Sequence, residues 1–196
     1  RVENDANCFV LSEAVDGAAA HGRVVFGVIL GTGCGGGVVV ERKVIEGVNS
    51  IGGEWGHTPL PWAREDERTV RHWCGRYGCM EQWVSGSGFK RWAGMSAGEA
   101  DEAARAGASK ARVLLDLLAD RLARGLAVVI DILDPDVIVF GGGLSNIDSL
   151  YASVRGKLLA HVFSDVLCTE LVKNKHGDSS GVRGAAWLFD PSGEAS

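Results

Sequence analysis

The sequence predicts an α/β fold with a mainly mixed sheet. Residues 24–30 and 137–140 are runs of consecutive apolar side chains, which are typical of strands covered on both faces. Residues 109–133 carry leucine and valine at helical spacing on one face, which predicts a long amphipathic helix. Because strands alternate with helices along the chain, the class is α/β.

The other elements are predicted in chain order. Residues 6–20 predict a short alanine-rich helix, and a glycine turn over 31–37 separates the first strand from a second one at 38–40. A charged turn then leads to a short β-branched stretch at 44–45. Downstream, the pattern predicts a loop over 51–88, a short helix or exposed connection over 96–108, a helix over 146–162, a strand near 167–173, a loop at 176–181 and a last helix over 182–188.

The composition excludes several classes of protein. Hydrophobic residues make up 46% of the 196, enough for a core, which excludes a disordered chain. The net charge of −5 and the lack of a lysine or arginine run argue against a nucleic-acid surface, and no apolar stretch reaches the ~18–20 residues of a membrane span. The polar first residues differ from a signal peptide, and 5 cysteines suit a reducing compartment, so we expect a cytoplasmic protein.

Glycine is the unusual component, with 28 residues, about twice the ordinary share of ~7%. In a chain that can form a core, clustered glycine suggests loops whose backbone approaches something closely. The clusters lie at 31–37, 52–56, 75–88, 141–143 and 177–184.

Two of these clusters suggest a nucleotide site. The first matches the pattern G-x-G-x-x-G, but a β-branched strand follows it instead of a helix, so we reject a dinucleotide-binding motif. An ordinary hairpin and a phosphate-cradling turn both remain open. The second cluster lies between a buried strand and a helix, where open α/β sheets bind ligands. The candidate nucleotide residues are Gly31, Thr32, Gly33, Gly35, Gly141, Gly142 and Gly143.

Two histidines and two cysteines suggest a metal site. His72, Cys74 and Cys79 lie on a glycine-rich knuckle, and His57 precedes them in the same region. Two nitrogen and two sulfur ligands suit tetrahedral zinc, and four protein ligands would make the site closed and structural. The alternative is a pair of buried thiols or a disulfide, with histidines at the surface.

Three carboxylates and a group of tryptophans complete the candidates. Glu54 and Glu81 flank the knuckle and suit a polyhydroxyl ligand, whereas for Asp5 the local pattern alone favours a helix N-cap. His161 and His176 show no partner pattern, so we expect solvated or core side chains. For the tryptophans, packing around the loop is a more frequent role than stacking on a sugar; they are Trp55, Trp62, Trp73, Trp83 and Trp92.

Taken together, the motifs resemble the ROK family of bacterial sugar kinases and related repressors, over essentially the whole chain. Within that family the chain looks most like fructokinases of the mannofructokinase kind. The resemblance rests on Glu3-Asn4-Asp5-Ala6-Asn7, Gly31-Thr32-Gly33-x-Gly35, Gly53-Glu54-x-Gly56-His57, Cys74-Gly75-x-x-Gly78-Cys79-Met80-Glu81 and the run Gly141–Gly143.

The resemblance implies an actin-like (ribonuclease-H-like) ATPase fold of two lobes. Residues 1–20 would end the N-terminal lobe region and the rest would form the C-terminal lobe. The family's N-terminal phosphate-loop lobe does not occur in this sequence, and Met80 and Met95 are its only methionines. We therefore expect residues upstream of Arg1, and expect this part alone to be inactive. The family also implies a homodimer.

The resemblance assigns roles as well. Asp5 would be the general base for a sugar hydroxyl, with Asn4 holding neighbouring hydroxyls. Glu54, His57 and Glu81 would bind the sugar, and His57 would also bind a structural Zn²⁺. The candidate glycines would line ATP, which acts with Mg²⁺. The family's zinc knuckle begins with cysteine, where this chain has His72.

The implied activity is ATP-dependent phosphorylation of a hexose, with fructose to fructose 6-phosphate expected first. Two alternatives remain open from the sequence. One is a sugar-sensing repressor, and the other is a non-catalytic remnant that binds sugar or zinc.

Overall fold

The computed structural model describes residues 4–177 and 180–187. Its strands are β1 (Val24–Leu30), β2 (Cys34–Val40), β3 (Lys43–Val44), β4 (Val137–Gly141) and β5 (Glu170–Lys173). Its helices are α1 (Asp5–Val15), α2 (Glu65–Arg68), α3 (Glu81–Val84), α4 (Gly86–Ala93), α5 (Ala97–Arg105), α6 (Ser109–Leu133), α7 (Asp148–Leu158) and α8 (Ser180–Trp187). Among the helices described, none is both long and apolar enough to cross a bilayer.

The strands form a mixed sheet in the order β3-β2-β1-β4-β5. Strand β1 is antiparallel to β2 and parallel to β4, and β4 is parallel to β5. The prediction of a mixed sheet is therefore confirmed. Because β1 and β4 run in the same direction, their carboxyl ends reach the same edge, and the glycine-rich segments that follow them lie side by side.

Helices cover both faces of this sheet. Phe26, Val28 and Leu30 of β1 lie in a core cluster with the apolar side of α6. Val25 of the same strand packs in a second cluster with α1 and its Val10. Successive strand side chains point to opposite faces, so a strand covered on both sides must be apolar throughout. This explains the uninterrupted apolar run from which β1 was predicted.

Several glycines are required where α1 packs closely. Gly27 of β1 and Gly37 of β2 are register partners, and both lie under Val10. A Cβ atom at Gly27 would come within 2.5 Å of the Val10 Cβ atom. On the other side of α1, a Cβ atom at Gly184 of α8 would come within 1.6 Å of the Cys8 carbonyl oxygen. Backbone contact between the elements thus accounts for part of the glycine excess.

Two predicted elements near the N-terminus have other bounds. The helix predicted over 6–20 ends at Val15, because the Glu13 carboxylate accepts a hydrogen bond from the Ala18 N–H (2.9 Å) and closes a turn there. The glycine turn predicted over 31–37 is shorter, since β2 begins at Cys34. Its glycines pair with β1 and leave room for α1, so pairing rather than strand propensity determines their conformation.

The remaining elements agree in part. The helix predicted over 109–133 is confirmed as α6 and ends at Asp134, which is left-handed with φ 44°. The predicted loop over 51–88 is wrong in part, because it contains α2, α3 and the start of α4. The predicted short helix or exposed connection over 96–108 contains α5. The helix predicted over 146–162 is the shorter α7, which follows a 3-10 turn at Gly143–Asn146. The strand predicted near 167–173 is β5. Helix α8 begins within the loop predicted at 176–181, while residues 178, 179 and 188 lie outside the described residues.

A buried ion-pair cluster joins the segment between β3 and α3 to helix α6. The Glu67 carboxylate is fully buried and contacts Arg121 Nε (2.8 Å) and Arg124 Nη1 (3.1 Å). The Arg121 guanidinium lies over the rings of Trp83 and Trp92, 4.5 and 4.3 Å from their centroids. Arg124 Nη1 also donates to the carbonyl oxygens of residues 61 and 62, at 3.1 Å each. Burial alone would raise the pKa of Glu67, but hydrogen bonds from Arg124, the Arg64 backbone and Arg121 lower it to about 2.

Replacing Glu67 with glutamine should strongly destabilise the fold. The variant leaves the buried guanidinium of Arg121 without a carboxylate and Arg124 with Asp120 alone (3.1 Å), so we expect the free energy of unfolding at pH 7 to fall by about 3–5 kcal/mol. Urea denaturation measures this loss. Glu65→Gln, an exposed position of the same helix, is the control and should change stability by less than about 0.5 kcal/mol. Equal losses in the two variants would contradict the prediction.

The contribution of Glu67 should also depend on pH. Because its pKa falls from 4.5 to about 2 on folding, the folded state favours the charged form. The stabilisation is complete above pH 4.5 and is lost as the pH falls towards 2. The stability difference between the wild type and Glu67→Gln should therefore narrow between about pH 5 and pH 3. A constant difference across this range would show that the carboxylate charge is not responsible.

Candidate functional site

The first described residues form the N-terminus of α1 and one edge of the site. Asn4 is the N-cap, since its side chain accepts a hydrogen bond from the Ala6 N–H (2.8 Å). The N-cap role weighed for Asp5 is therefore wrong. Asp5 is exposed in the first turn, and among the described residues no hydrogen bond or ion pair involves its carboxylate. This carboxylate is free to accept a proton from a ligand.

Asn4 also connects α1 to the loop that carries Glu54 and His57. Its Nδ2 donates to Glu54 Oε1 (3.1 Å), and Glu54 Oε2 lies 3.8 Å from His57 Nε2. The loop lies directly on β2: a Cβ atom at Gly56 would come within 2.1 Å of the Cys34 carbonyl oxygen. Glycine at this position allows the close approach that places three predicted sugar residues together.

Glu81, at the start of α3, connects this region to the knuckle. Its Oε2 accepts a hydrogen bond from the Cys34 N–H (2.9 Å), and its Oε1 lies 2.8 Å from both His72 Nε2 and Trp73 Nε1. Burial alone would raise the pKa of Glu81, but these hydrogen bonds lower it below its ordinary value. The carboxylate therefore stays charged and holds the β1–β2 turn against the knuckle.

Three of the four predicted metal ligands converge, and the fourth, Cys79, lies beside one of them. One ligand atom from each of His57, His72 and Cys74 lies within 4.8 Å of the others. The Sγ atoms of Cys74 and Cys79 are 3.8 Å apart, and both thiols are free, so the disulfide alternative is wrong. A hydrogen bond from His72 is the main cause that lowers the pKa of Cys74 to about 6, while burial raises that of Cys79 to about 11.

The donor set fits zinc in three respects. Two thiolates on a tetrahedral zinc lie about 3.8 Å apart, because each Zn–S bond is about 2.3 Å. His72 Nδ1 lies 3.0 Å from Cys74 Sγ, on the side of the proposed metal, and His72 Nε2 lies beside the Glu81 carboxylate. A ligand histidine usually donates its second ring N–H to a carboxylate in this way. Nδ1 of His57 is buried and has no hydrogen-bond partner among the described residues. A buried nitrogen of this kind needs a partner, and a metal ion would provide one.

The two glycine-rich segments meet at the carboxyl edge of the sheet. Gly142 has φ 77°, and a Cβ atom there would come within 2.7 Å of Leu30 and 2.8 Å of the Gly31 N atom. Thr32 at the turn and Gly143 after β4 are exposed. The other three candidates lie close to side chains: Gly33 lies beside the Glu81 carboxylate, Gly35 lies in β2 against Ala6, and Gly141 ends β4 against the Phe9 ring.

The structure gives partners to two histidines for which none was predicted, and it separates buried from exposed tryptophans. His176 Nε2 pairs with Asp16 Oδ1 (2.9 Å), and His161 stacks on Trp62 with ring centroids 5.2 Å apart. Trp55, Trp83 and Trp92 pack in or against the core, as expected, whereas Trp62 and Trp73 are exposed. The contact of Trp73 with Glu81 was not predicted, because no local pattern identifies an indole N–H that reaches a carboxylate in the following turn.

Known proteins resemble the chain along most of its length. It is 43% identical over 199 residues to the N-acetyl-D-glucosamine kinase of Vibrio cholerae, covering 96% of this chain and 66% of that protein. The chain thus spans just under two thirds of the length of this relative. The ROK family glucokinase of Streptomyces griseus, solved with glucose and AMPPNP, superposes with a TM-score of 0.84 at 27% identity, over 95% of this chain and 67% of that one.

A ROK family transcriptional regulator, a homologue of the E. coli MLC protein, has the same fold. It superposes with a TM-score of 0.83 at 22% identity, over 95% of this chain and 50% of that one. The predicted actin-like fold is confirmed by these neighbours. The family model described as "ROK family" matches residues 1–191, and the chain therefore belongs to the ROK family.

Proposed function

We propose that the chain is the sugar- and metal-binding part of a kinase that transfers the γ-phosphoryl group of ATP to a hexose. The observation that carries this proposal is the contact between Asn4 and Glu54, which joins the N-terminus of α1, where Asp5 lies, to the loop that carries Glu54 and His57. The proposal extends to the whole protein, including an N-terminal phosphate-loop lobe, because the chain covers 66% of its curated relative.

Asp5 accepts the proton of the attacking hydroxyl in this proposal. The sugar oxygen forms a bond to the γ-phosphorus, the bond from that phosphorus to the β–γ bridging oxygen breaks, and ADP leaves. Asn4, Glu54, His57 and Glu81 hold the other hydroxyls, because carboxylate, amide and imidazole groups accept and donate hydrogen bonds. A positioned base contributes about 10²–10⁴-fold to the rate.

The glycine-rich segments after β1 and β4 would bind ATP. The turn at Gly31–Gly33, whose Thr32 is exposed, and the residues Gly142 and Gly143 bring backbone N–H groups to this edge of the sheet. The Gly31 N–H already donates to the Gly33 carbonyl oxygen (3.1 Å), so the N–H groups of the other residues would contact the phosphates. Such groups suit phosphate oxygens, and Mg²⁺, when bound with ATP, neutralises part of the phosphate charge. Gly35 and Gly141 would support this site from within the sheet.

The preferred sugar is the finer part of the proposal. Fructose was predicted from the resemblance, whereas the Vibrio cholerae relative is named for N-acetyl-D-glucosamine. Identity of 43% across 96% of the chain makes N-acetyl-D-glucosamine the stronger proposal. A sugar-sensing regulator remains the second candidate, because a ROK regulator has the same fold. The free carboxylate of Asp5 favours the kinase.

The knuckle would hold a structural Zn²⁺ through His57, His72, Cys74 and Cys79. Four protein ligands leave no position open for substrate, so the ion would hold the loop that carries the sugar residues. The homodimer that the resemblance implies remains a prediction.

Replacing Asp5 with asparagine should abolish most turnover. We expect kcat of the complete reading frame to fall about 10²–10⁴-fold, with sugar affinity changed only a few-fold. A coupled ADP-release assay and calorimetric sugar titration measure the two effects. Asp116→Asn, which removes an ion pair between the exposed Asp116 of α6 and Lys157 of α7, is the matched control. Undiminished turnover in Asp5→Asn would contradict the role of the base.

A substrate panel should identify the sugar. We expect kcat/KM for N-acetyl-D-glucosamine to exceed those for fructose, glucose and mannose by at least about tenfold, or ~1.4 kcal/mol. The coupled ADP-release assay on the complete reading frame measures all four. A preference for fructose would restore the first prediction. Sugar binding without ADP release from any of them would support the regulator.

Zinc content should follow the four ligands. We expect one zinc per chain by elemental analysis, lost in Cys74→Ser, Cys79→Ser and His72→Ala but kept in His72→Cys, because thiolate also binds zinc. Cys168→Ser is the control, since this cysteine is exposed and outside the cluster. Zinc retained in His72→Ala would remove His72 from the site, and zinc-free wild type would overturn the metal proposal.

A further inference from the structure

The junction between α3 and α4 holds the glycine turn that follows β1. This junction consists of Ser85, Gly86 and Ser87, and we call it the α4 junction. The Gly86 N–H donates to the Gly31 carbonyl oxygen (2.7 Å), and Ser87 Oγ donates to the Thr32 carbonyl oxygen (2.5 Å). Two consecutive carbonyl groups of the turn are therefore bound by one short segment, which lies 55 residues further along the chain.

These two contacts fix the direction of the N–H groups in the turn. In a trans peptide the C=O and N–H bonds lie in one plane and point in opposite directions. Because the Gly31 carbonyl faces the α4 junction, the Thr32 N–H faces away from it. The Thr32 carbonyl faces the junction as well, so the Gly33 N–H also faces away. Neither N–H donates a hydrogen bond to any residue that the structure describes, so both are available to a ligand.

The N–H groups on either side of this pair are already bound. The Gly31 N–H donates to the Gly33 carbonyl oxygen (3.1 Å), and the Cys34 N–H donates to Glu81 Oε2 (2.9 Å). Within the described part of the chain, the Thr32 and Gly33 N–H groups are thus the two donors that this turn can offer to an anion. Both belong to peptide groups whose orientation depends on the α4 junction.

Ser87 is the hydroxyl group of the junction that supplies a proton to the turn. A serine hydroxyl has one proton to donate, and Ser85 donates its own to the Glu81 carbonyl oxygen (2.6 Å). Ser85 Oγ also accepts a hydrogen bond from the Gly88 N–H (3.0 Å), which caps the first turn of α4. The buried Ser85 therefore serves the helix, whereas the exposed Ser87 serves the turn.

We propose that Ser87 is a positioning residue for ATP. Its hydroxyl holds the Thr32 carbonyl, so that the Thr32 and Gly33 N–H groups point at the phosphate oxygens before ATP binds. A donor that is already oriented needs no reorganisation when the anion arrives, which strengthens binding. Without the hydroxyl, the peptide group between residues 32 and 33 is free to rotate. This role rests on the proposed function, because it takes the anion at the turn to be the phosphates of ATP.

Ser87→Val and Ser87→Thr form a matched pair, because the two side chains have nearly the same shape and only threonine keeps the hydroxyl. Calorimetric titration of the complete reading frame with AMPPNP and with adenosine measures their effect. We expect Ser87→Val to raise the dissociation constant of AMPPNP about 3–10-fold, as for the loss of one hydrogen bond, and Ser87→Thr to bind like the wild type. Adenosine has no phosphate, so its dissociation constant should not change in either variant.

A second pair of variants tests the contact of the junction with Gly31. A Cβ atom at Gly86 would come within 2.9 Å of the Gly31 carbonyl oxygen, whereas one at Gly98 of α5 would meet no atom within 4 Å. Gly86→Ala should therefore displace the turn and weaken AMPPNP binding without weakening adenosine binding, and Gly98→Ala should change neither. Circular dichroism confirms that each variant is folded.

Equal AMPPNP affinity in Ser87→Val and Ser87→Thr would overturn the role of Ser87. An equal loss of adenosine affinity in Ser87→Val would overturn it too, because that loss would indicate a general disturbance of the nucleotide site, and so would a wild type that binds no AMPPNP. The kinase proposal fails separately. AMPPNP binding that depends on the Ser87 hydroxyl, without ADP release from any sugar, would contradict the kinase and support the role of Ser87. Sugar-dependent ADP release with the same KM for ATP in Ser87→Val would do the reverse.

Discussion

The buried carboxylate of Glu67 is the contact on which the arrangement of the site depends. The long segment from β3 to α3 contains only short helices and a two-residue strand, so regular hydrogen bonding does not determine its path. Glu67 and the two arginines of α6 provide that constraint from within. Because Arg124 also binds the carbonyl oxygens of residues 61 and 62, one side chain holds both a helix and the preceding turn.

A second carboxylate, that of Glu81, connects the regions proposed to bind phosphate, sugar and metal. Glu81 contacts the β1–β2 turn through Cys34 and the knuckle through His72 and Trp73. The proposed phosphate, sugar and metal regions are therefore mechanically connected, although each comes from a different part of the chain. Loss of metal should disturb the sugar residues through this carboxylate.

The features that the sequence predicted correctly are those determined by residues close together in the chain. The bounds of α6 follow from its periodicity and from Asp134, and the spacing of Cys74 and Cys79 was enough to bring their sulfurs together. Long-range contacts were missed. Glu67 lies more than fifty residues from its arginines, and His176 lies 160 residues from Asp16, so neither pair has a signature in a short window. Strand β2 was shortened in the prediction for the same reason, since its glycines are extended only because β1 pairs with them.

The two hydrogen bonds of Asn4 limit which amino acids position 4 can accept. Its amide oxygen caps α1 and its amide nitrogen donates to Glu54, so both ends of one short side chain are committed. Aspartate could cap the helix but would repel Glu54, and serine would have to make both contacts through one hydroxyl on a shorter side chain. Glutamine has both groups on a longer side chain that does not suit the cap. Asparagine places an acceptor for the helix and a donor for the loop on one short side chain.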